Sequence, residues 1–233
     1  ITPLLLPVIL SSCLAKGATR MSKKKTIVKK LDSIQSFGAM NILCTDKTGT
    51  LTEDRIVLEK YLNIKGEEDT RVLKHAFLNS YFQTGLEGSI DEAVIKRVKK
   101  TELKGIEENY EKVDEIPFDF TRRRLSVVVS DGKKKQLITK GAVEEILSIC
   151  TMVDYKGEVS DITRDIKQNI LKITKDLNKQ GLRVVAVAQK NDITDVKDFS
   201  VKDESKMVLM GFIGFLDPPK ESAKGAIERL NKD

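Results

Sequence analysis

Asp46 is followed by Lys47, Thr48, Gly49, Thr50, Leu51 and Thr52, a carboxylate set ahead of a hydroxyl-rich turn that contains a glycine. The backbone N–H groups of such a turn can face an anion, and its hydroxyls add further donors, so the arrangement suits a phosphoryl group. A carboxylate attacks the terminal phosphate of ATP only if its own charge and that of the triphosphate are offset, which calls for Mg2+ and a nearby cation. Lys47 is placed to be that cation. The pattern therefore reads as a catalytic group of Asp46, Lys47 and Thr48, with Asp46 and Thr48 supplying oxygens to the metal. Two residues past the nucleophile, where a hydrolysing enzyme would carry a second aspartate as acid and base, this chain has Thr48. A phosphoenzyme without that base persists until a water is delivered by something else, and persistence suits coupling to movement better than simple hydrolysis.

The elements that must hold this loop are legible in part. The run Ala39–Thr45 reads as a buried strand leading into Asp46. Val72, Leu73, Ala76 and Phe77 recur at helical spacing between Asp69 and Phe82, and a second helix is expected from Ser89, with Glu92 completing a capping box. Residues 113–139 change period: VDEIPF, RLSVVVS, a tight turn at Asp131-Gly132, then KKKQLIT, which predicts an antiparallel sheet. Lys140-Gly141 leads into a helix from Ala142 to Cys150. A longer helix carries Ile162, Ile166, Ile170, Ile173 and Leu177 on one face until Gly181 stops it. Leu182–Gln189 and Met207–Phe215 are two further strands, and Leu216-Asp-Pro-Pro-Lys220 opens a short helical run. The fold class is thus mixed, α/β and α+β, with a strand and loop at 40–52, a long insertion, and a return at 217.

Composition narrows the partners. The chain has 233 residues, of which 40% are apolar and 33% charged, with 41 basic against 35 acidic side chains. That balance describes a mixed surface and makes no case for nucleic acid. The cationic excess lies in Lys16, Arg20, Lys23, Lys24, Lys25, Lys29 and Lys30, a stretch without an acidic residue. It follows the apolar residues 1–14, which are shorter than the roughly 20 residues of a membrane helix and read as the end of one with its charges on the cytoplasmic side. Pro3 and Pro7 inside it could free backbone carbonyls along an ion pathway. Cys13, Cys44 and Cys150 are too scattered for a disulfide framework or a clustered metal site. His75, with apolar helical neighbours and no second ligand at helical spacing, reads as structural.

The heptapeptide DKTGTLT (46–52) is the signature of the P-type ATPases, which this sequence resembles along essentially its whole length. The blocks IPFDFTRRRLSVVV (116–129), TKGAVEEIL (139–147), NKQGLRVVAVA (178–188) and LDPPKE (216–221) resemble those of bacterial magnesium-importing members. The resemblance implies a haloacid-dehalogenase-like phosphorylation domain, partial here, that receives an inserted nucleotide-binding domain of antiparallel sheet and helices. Its boundaries would be a membrane-helix end at 1–14, a basic cytoplasmic connector at 15–38, phosphorylation-domain pieces at 39–55 and 217–233, and the nucleotide domain at 56–216. It implies ATP and Mg2+ as cofactors, a transported cation as partner, and a cell-membrane location with residues from about 15 onward cytoplasmic.

Position by position, the resemblance puts the adenine-stacking ring at Phe120, the nucleotide lysine at Lys140 beside Gly141, the acidic adenine contact at Asp91 and the phosphate-side arginine at Arg183. Arg122 and Asp217 complete the expected ATP contacts. Each residue type suits its role: a ring face for a base, a cation, a planar fork for phosphate oxygens. Taken singly they could equally be a core ring, a surface charge and a first-turn helix acid.

The chain also departs from the pattern. Later TGD and GDGxND segments and the upstream TGES loop do not occur within it, so it is not expected to pump alone. Thr2-Pro-Leu-Leu-Leu-Pro7 lacks the acid of the magnesium members' TPEMLP, and no CPC-type motif points to a soft metal. Two other readings compete with transport. A phosphatase would need an acid at Thr48 and no insertion of this size, and a binding-only module would describe residues 56–216 without turnover.

Overall fold

The computed structural model describes residues 2–85, 88–191, 193 and 199–231. It divides into a unit of Ile1–Asp46 and a unit of Lys47–Asp233.

In the first unit, helix α1 (Thr2–Lys23) runs past residue 14 into the basic stretch, and α2 (Ser33–Phe37) follows. Ala15, Lys16, Ala18, Arg20 and Met21 are good helix formers, so no local signal ends the helix where the apolar residues stop. Among the described residues no helix is long and apolar enough to cross a membrane. The stretch 39–45, expected to be a buried strand, is neither strand nor buried: Ile42 is 77% and Leu43 58% exposed. A strand of that kind needs neighbours to take up its backbone N–H and C=O groups, and among the described residues none pairs with it.

The second unit is built on one eight-stranded sheet: β1 (Val57–Asn63), β2 (Glu111–Asp119), β3 (Arg124–Ser130), β4 (Lys135–Gly141), β5 (Cys150–Tyr155), β6 (Glu158–Asp161), β7 (Arg183–Asn191) and β8 (Met207–Leu216). Their order is β2-β3-β4-β7-β8-β5-β6, and β8 also pairs with β1 along its second half. Every pairing is antiparallel except β5 with β8. Helices α3 (Thr70–Phe82) and α4 (Ser89–Val98) cover one face through Val72, Leu73, Phe77 and Val94, packed on Leu125, Val127, Ile138 and Ile213. Helices α5 (Val143–Ile149) and α6 (Arg164–Lys179) cover the other through Ile146 and Ile170, on Val128, Leu137, Ala186 and Phe212. The central strands are therefore buried on both faces, which is why RLSVVVS reads as a continuous apolar run. Helix α7 (Glu221–Leu230) ends the described chain.

The helices expected from periodicity are present, with local corrections. Gly88, not Ser89, caps α4; no side chain caps it, and Glu92 instead pairs with Lys96. The Asp131-Gly132 connection spans four residues, because the Asp131 carboxylate accepts from the N–H groups of Lys133 (3.0 Å) and Lys134 (2.8 Å) and β4 starts only at Lys135. Lys140 and Gly141 end β4, and α5 runs from Val143 to Ile149, one residue inside each end of the expected helix. Strands β1, β5 and β6 were not expected from the sequence. Val57, Leu58, Tyr61 and Leu62 look helical in spacing because a bulge between Leu58 and Lys60 breaks the period of two.

Gly211 shows how closely the sheet is drawn together. It takes a φ of 153°, and a Cβ there would lie 2.0 Å from the Leu62 carbonyl oxygen. Gly211→Ala should lose at least about 3 kcal/mol of stability, from backbone strain plus the forced separation of β1 and β8, read as a lower urea midpoint.

Arg71 and Asp154 tie the β5–β6 ladder to α3 through two 2.8 Å bonds. Burial pushes the Asp154 carboxyl upward, but the Arg71 bonds and the Gly157 N–H outweigh it and hold the carboxyl below its ordinary value. A depressed aspartate contributes stability above its unfolded pKa of about 4 and loses it as the pH falls through the folded value. Urea unfolding from pH 6 downward should therefore show a decline that is shallower in Asp154→Asn.

Candidate functional site

The strand register brings most of the expected residues to one end of the sheet. Arg124 at the start of β3 pairs with Gly141 at the end of β4, Gly141 pairs with Ala186 near the start of β7, and Arg183 pairs with Phe215 near the end of β8. The β2–β3 turn bearing Phe120 and Arg122, the β4 end, Arg183, Asp217 and the residues leading into β1 all lie at that end. Val187, opposite Lys140, is four residues along β7 from Arg183, or about 13 Å at 3.3 Å per residue.

Lys140 sits inside the fold. Its side chain is 9% exposed, its Nζ donates to Ser80 Oγ at 2.7 Å, and it forms an ion pair with Asp91 in the first turn of α4. Burial pulls its ammonium pKa below the lysine range, and Asp91 partly offsets the pull. Nearby chemistry is therefore a buried cation already matched by one anion.

Phe120 is the opposite case, 89% exposed, with the Phe118 ring edge-on at 5.3 Å. The turn beneath it is fixed by the Asp119 carboxylate, which accepts from the N–H groups of Thr121 and Arg122 at 2.8 Å each. The Arg122 and Thr121 N–H groups hold that carboxyl below its usual range. Gly141 admits a close approach, but toward β3: a Cβ would lie 2.5 Å from the Arg123 carbonyl oxygen and 2.6 Å from Arg124 Cβ. Arg122 bonds to Glu204 and to the Pro117 carbonyl.

The loop after Asp46 is drawn against the return segment. Thr52 bridges to Pro219, Glu53 N–H donates to the Pro218 carbonyl at 2.7 Å, and Lys220 N–H donates to the Leu51 carbonyl at 2.9 Å. Lys220 Nζ reaches the Gly49 carbonyl at 2.6 Å. Within the loop, Gly49 takes a φ of 78° and donates to Thr52 Oγ1 at 3.2 Å. Lys47 Nζ and Arg183 Nη2 then stand 3.7 and 3.9 Å from Asp217, whose side chain is 9% exposed. Two cations thus converge on one acid at the sheet end. Asp46 and Thr48 are both exposed.

A family model described as "P-type ATPase, cytoplasmic domain N" matches residues 68–222. The chain belongs to the P-type ATPases. Relatives named "Magnesium-transporting ATPase, P-type 1" from Salmonella typhimurium and Escherichia coli (strain K12) are each 49% identical over 99% of this chain and 26% of their own length. "Calcium-transporting ATPase 1" of Bacillus cereus is 28% identical over 97% of the chain and 27% of its own length. This P-type ATPase chain spans about a quarter of the length of the curated relatives it matches. The match at 68–222 leaves out β1, although β1 completes the sheet beside β8.

Two further residues of this chain shape the site without a motif to mark them. Ser80 faces Lys140, and Glu204 gathers Arg122 and Arg124. Ser80 has no local signature. Glu204 could have been flagged only as an acid close before the apolar run of β8.

Proposed function

We propose that this chain supplies the phosphorylated aspartate and the ATP-holding domain of a membrane ATPase that drives cations, Mg2+ foremost, through an aspartyl-phosphate intermediate. The observation that carries the reading is the bonding of residues 47–53 to 217–220, which sets Lys47 beside Asp217 at the sheet end where Phe120 and Arg183 also lie. On this reading residues 39–55 and 217–233 belong to a haloacid-dehalogenase-like phosphorylation domain and 56–216 to the nucleotide domain. Residues 1–14 belong to a membrane segment and 15–38 to a connector, with everything from about residue 15 cytoplasmic.

The roles follow from the chemistry. Phe120 offers its face to adenine, while Lys140 and Asp91 line the base end and Gly141 lets the β4 end pack against the turn that carries Phe120. Arg183 offers its guanidinium to phosphate oxygens about 13 Å further along β7. Asp46 attacks the terminal phosphorus as the bond from that phosphorus to its bridging oxygen breaks and ADP leaves, Lys47 offsets charge, and Asp217 holds Lys47 and Arg183. Mg2+ would be held by oxygens of Asp46 and Thr48. Hard oxygen donors suit that ion, which is commonly bound by one or two carboxylates plus substrate phosphates; it would neutralise phosphate charge when bound. Thr48, two residues past Asp46, has no carboxylate to accept a proton as a hydrolytic base.

The test is a titration of the chain with ATP and Mg2+ followed by amide chemical shifts. Shifts are expected around Phe120, Lys140, Asp91 and Arg183, and Phe120→Ala should weaken binding roughly 5- to 150-fold, the loss of one base stack of about 1–3 kcal/mol. Shifts confined to other residues, or none at millimolar ATP, would overturn the assignment.

A further inference from the structure

Arg122 does not reach outward from its turn. Its Nη1 lies 2.9 and 2.8 Å from the two carboxylate oxygens of Glu204, and its Nη2 donates to the Pro117 carbonyl at 2.7 Å. Glu204, only 2% exposed, also accepts from Arg124 Nε at 2.7 Å and from Ser126 Oγ at 2.6 Å. The Ser126 hydroxyl in turn contacts Thr139 Oγ1 at 2.7 Å. A carboxylate is kept at such depth only when paired and hydrogen-bonded, and here the β2–β3 turn and β3 supply the partners. The segment bearing Glu204 is itself anchored, by a Ser200–Asp203 capping box and by Lys190 Nζ on the Asp203 carbonyl at 3.2 Å.

What this fixes is the root of the turn that presents Phe120. Arg122 is two residues beyond that ring, Arg123 N–H bonds the Asp119 carbonyl at 2.7 Å, and Arg123 holds a φ of 48°. Among the described residues the ring's stacking neighbour is Phe118, itself half exposed, so Phe120 is held by its backbone and not by packing. Both Arg122 Nη atoms are committed to this inner scaffold.

We infer that Glu204 is a positioning residue for the base-binding turn, and that Arg122 serves nucleotide binding through Glu204 instead of by touching phosphate. This rests on Phe120 being the base contact. The experiment compares ATP and adenosine binding to the whole chain and to Glu204→Gln, Ser126→Ala, Arg122→Lys and Phe120→Ala, well below each unfolding temperature. Ser126→Ala should weaken both ligands a few-fold, and Glu204→Gln and Arg122→Lys about ten-fold, with the ratio of the two dissociation constants unchanged. The amide signals of Phe120 and Thr121 should move in these variants while those of α3, on the sheet face opposite Ser126, stay in place, which a general loss of stability would not produce.

Three results overturn the inference: Arg122→Lys weakening ATP alone, Glu204→Gln tightening ATP by releasing Arg122, or folded Glu204→Gln and Ser126→Ala binding like the parent. Should Glu204→Gln not fold, Ser126→Ala and Arg122→Lys decide. If Phe120→Ala itself changes neither constant, the base site lies elsewhere and the positioning role falls with it. If Phe120→Ala weakens both ligands while the Glu204 variant does not, only the inference fails.

Discussion

Lys140→Met should destabilise the chain by about 3–5 kcal/mol, because it removes one partner of a buried ion pair and leaves the other charge uncompensated. The pair is 9% and 11% exposed at its side chains, and Ser80 Oγ loses its donor as well. Adding Asp91→Leu should recover most of that loss, since replacing both partners with apolar groups removes the desolvation cost along with the attraction. Urea unfolding of the single and double variants reads the stability. ATP titration of the same proteins separates the two roles of the lysine. The double variant is expected to fold yet bind ATP at least about ten-fold more weakly than the parent. A double variant that binds like the parent would make the pair purely structural and remove Lys140 and Asp91 from the nucleotide site.

If the proposed function holds, Asp46→Asn in the full-length protein should abolish the phosphoenzyme, a fall of at least about 1000-fold, because an amide of nearly the same shape has no carboxylate to form the acyl phosphate. Asp46→Glu tests geometry against chemistry: it keeps the carboxylate but shifts it by about 1 Å, which should cost roughly 100-fold. Incorporation of radiolabelled phosphate from ATP, quenched in acid and challenged with hydroxylamine, measures both. Label that survives in Asp46→Asn would place the nucleophile elsewhere and leave DKTGTLT as a binding loop alone. Thr48→Asp is the complementary variant. Supplying a carboxylate two residues past the nucleophile should shorten the life of the phosphoenzyme, since that is where a hydrolysing enzyme keeps its acid and base.

Much of the fold was legible because its signals are local. Val72, Leu73, Ala76 and Phe77 place α3 on the sheet, Ile166, Ile170, Ile173 and Leu177 mark α6, and the valines of β3 show a strand buried on both faces. The β5–β6 hairpin was missed although it carries a signal. Lys156 and Gly157 take φ values of 54° and 100° between Tyr155 and Glu158, and a Lys-Gly pair is a weaker turn marker than Asn-Gly. The strand expected at 39–45 failed for a different reason, since apolar sequence alone does not make a strand where no neighbour takes its hydrogen bonds.

The chemistry proposed for this protein rests on the sequence itself: a carboxylate, a lysine and a glycine turn adjacent along the chain, with threonine where a hydrolytic acid would stand. Adjacent residues need no fold to bring them together, so DKTGTLT could be read directly. Convergence needed the tertiary structure. Arg183 and Asp217 are distant from Lys47 along the chain, and Lys140 from Asp91, yet strand register and the packing of α4 make them neighbours. Glu204 acquired its part only when the segment before β8 folded against β3, because a buried acid is defined by the cations that surround it and nothing in its own stretch of sequence names them.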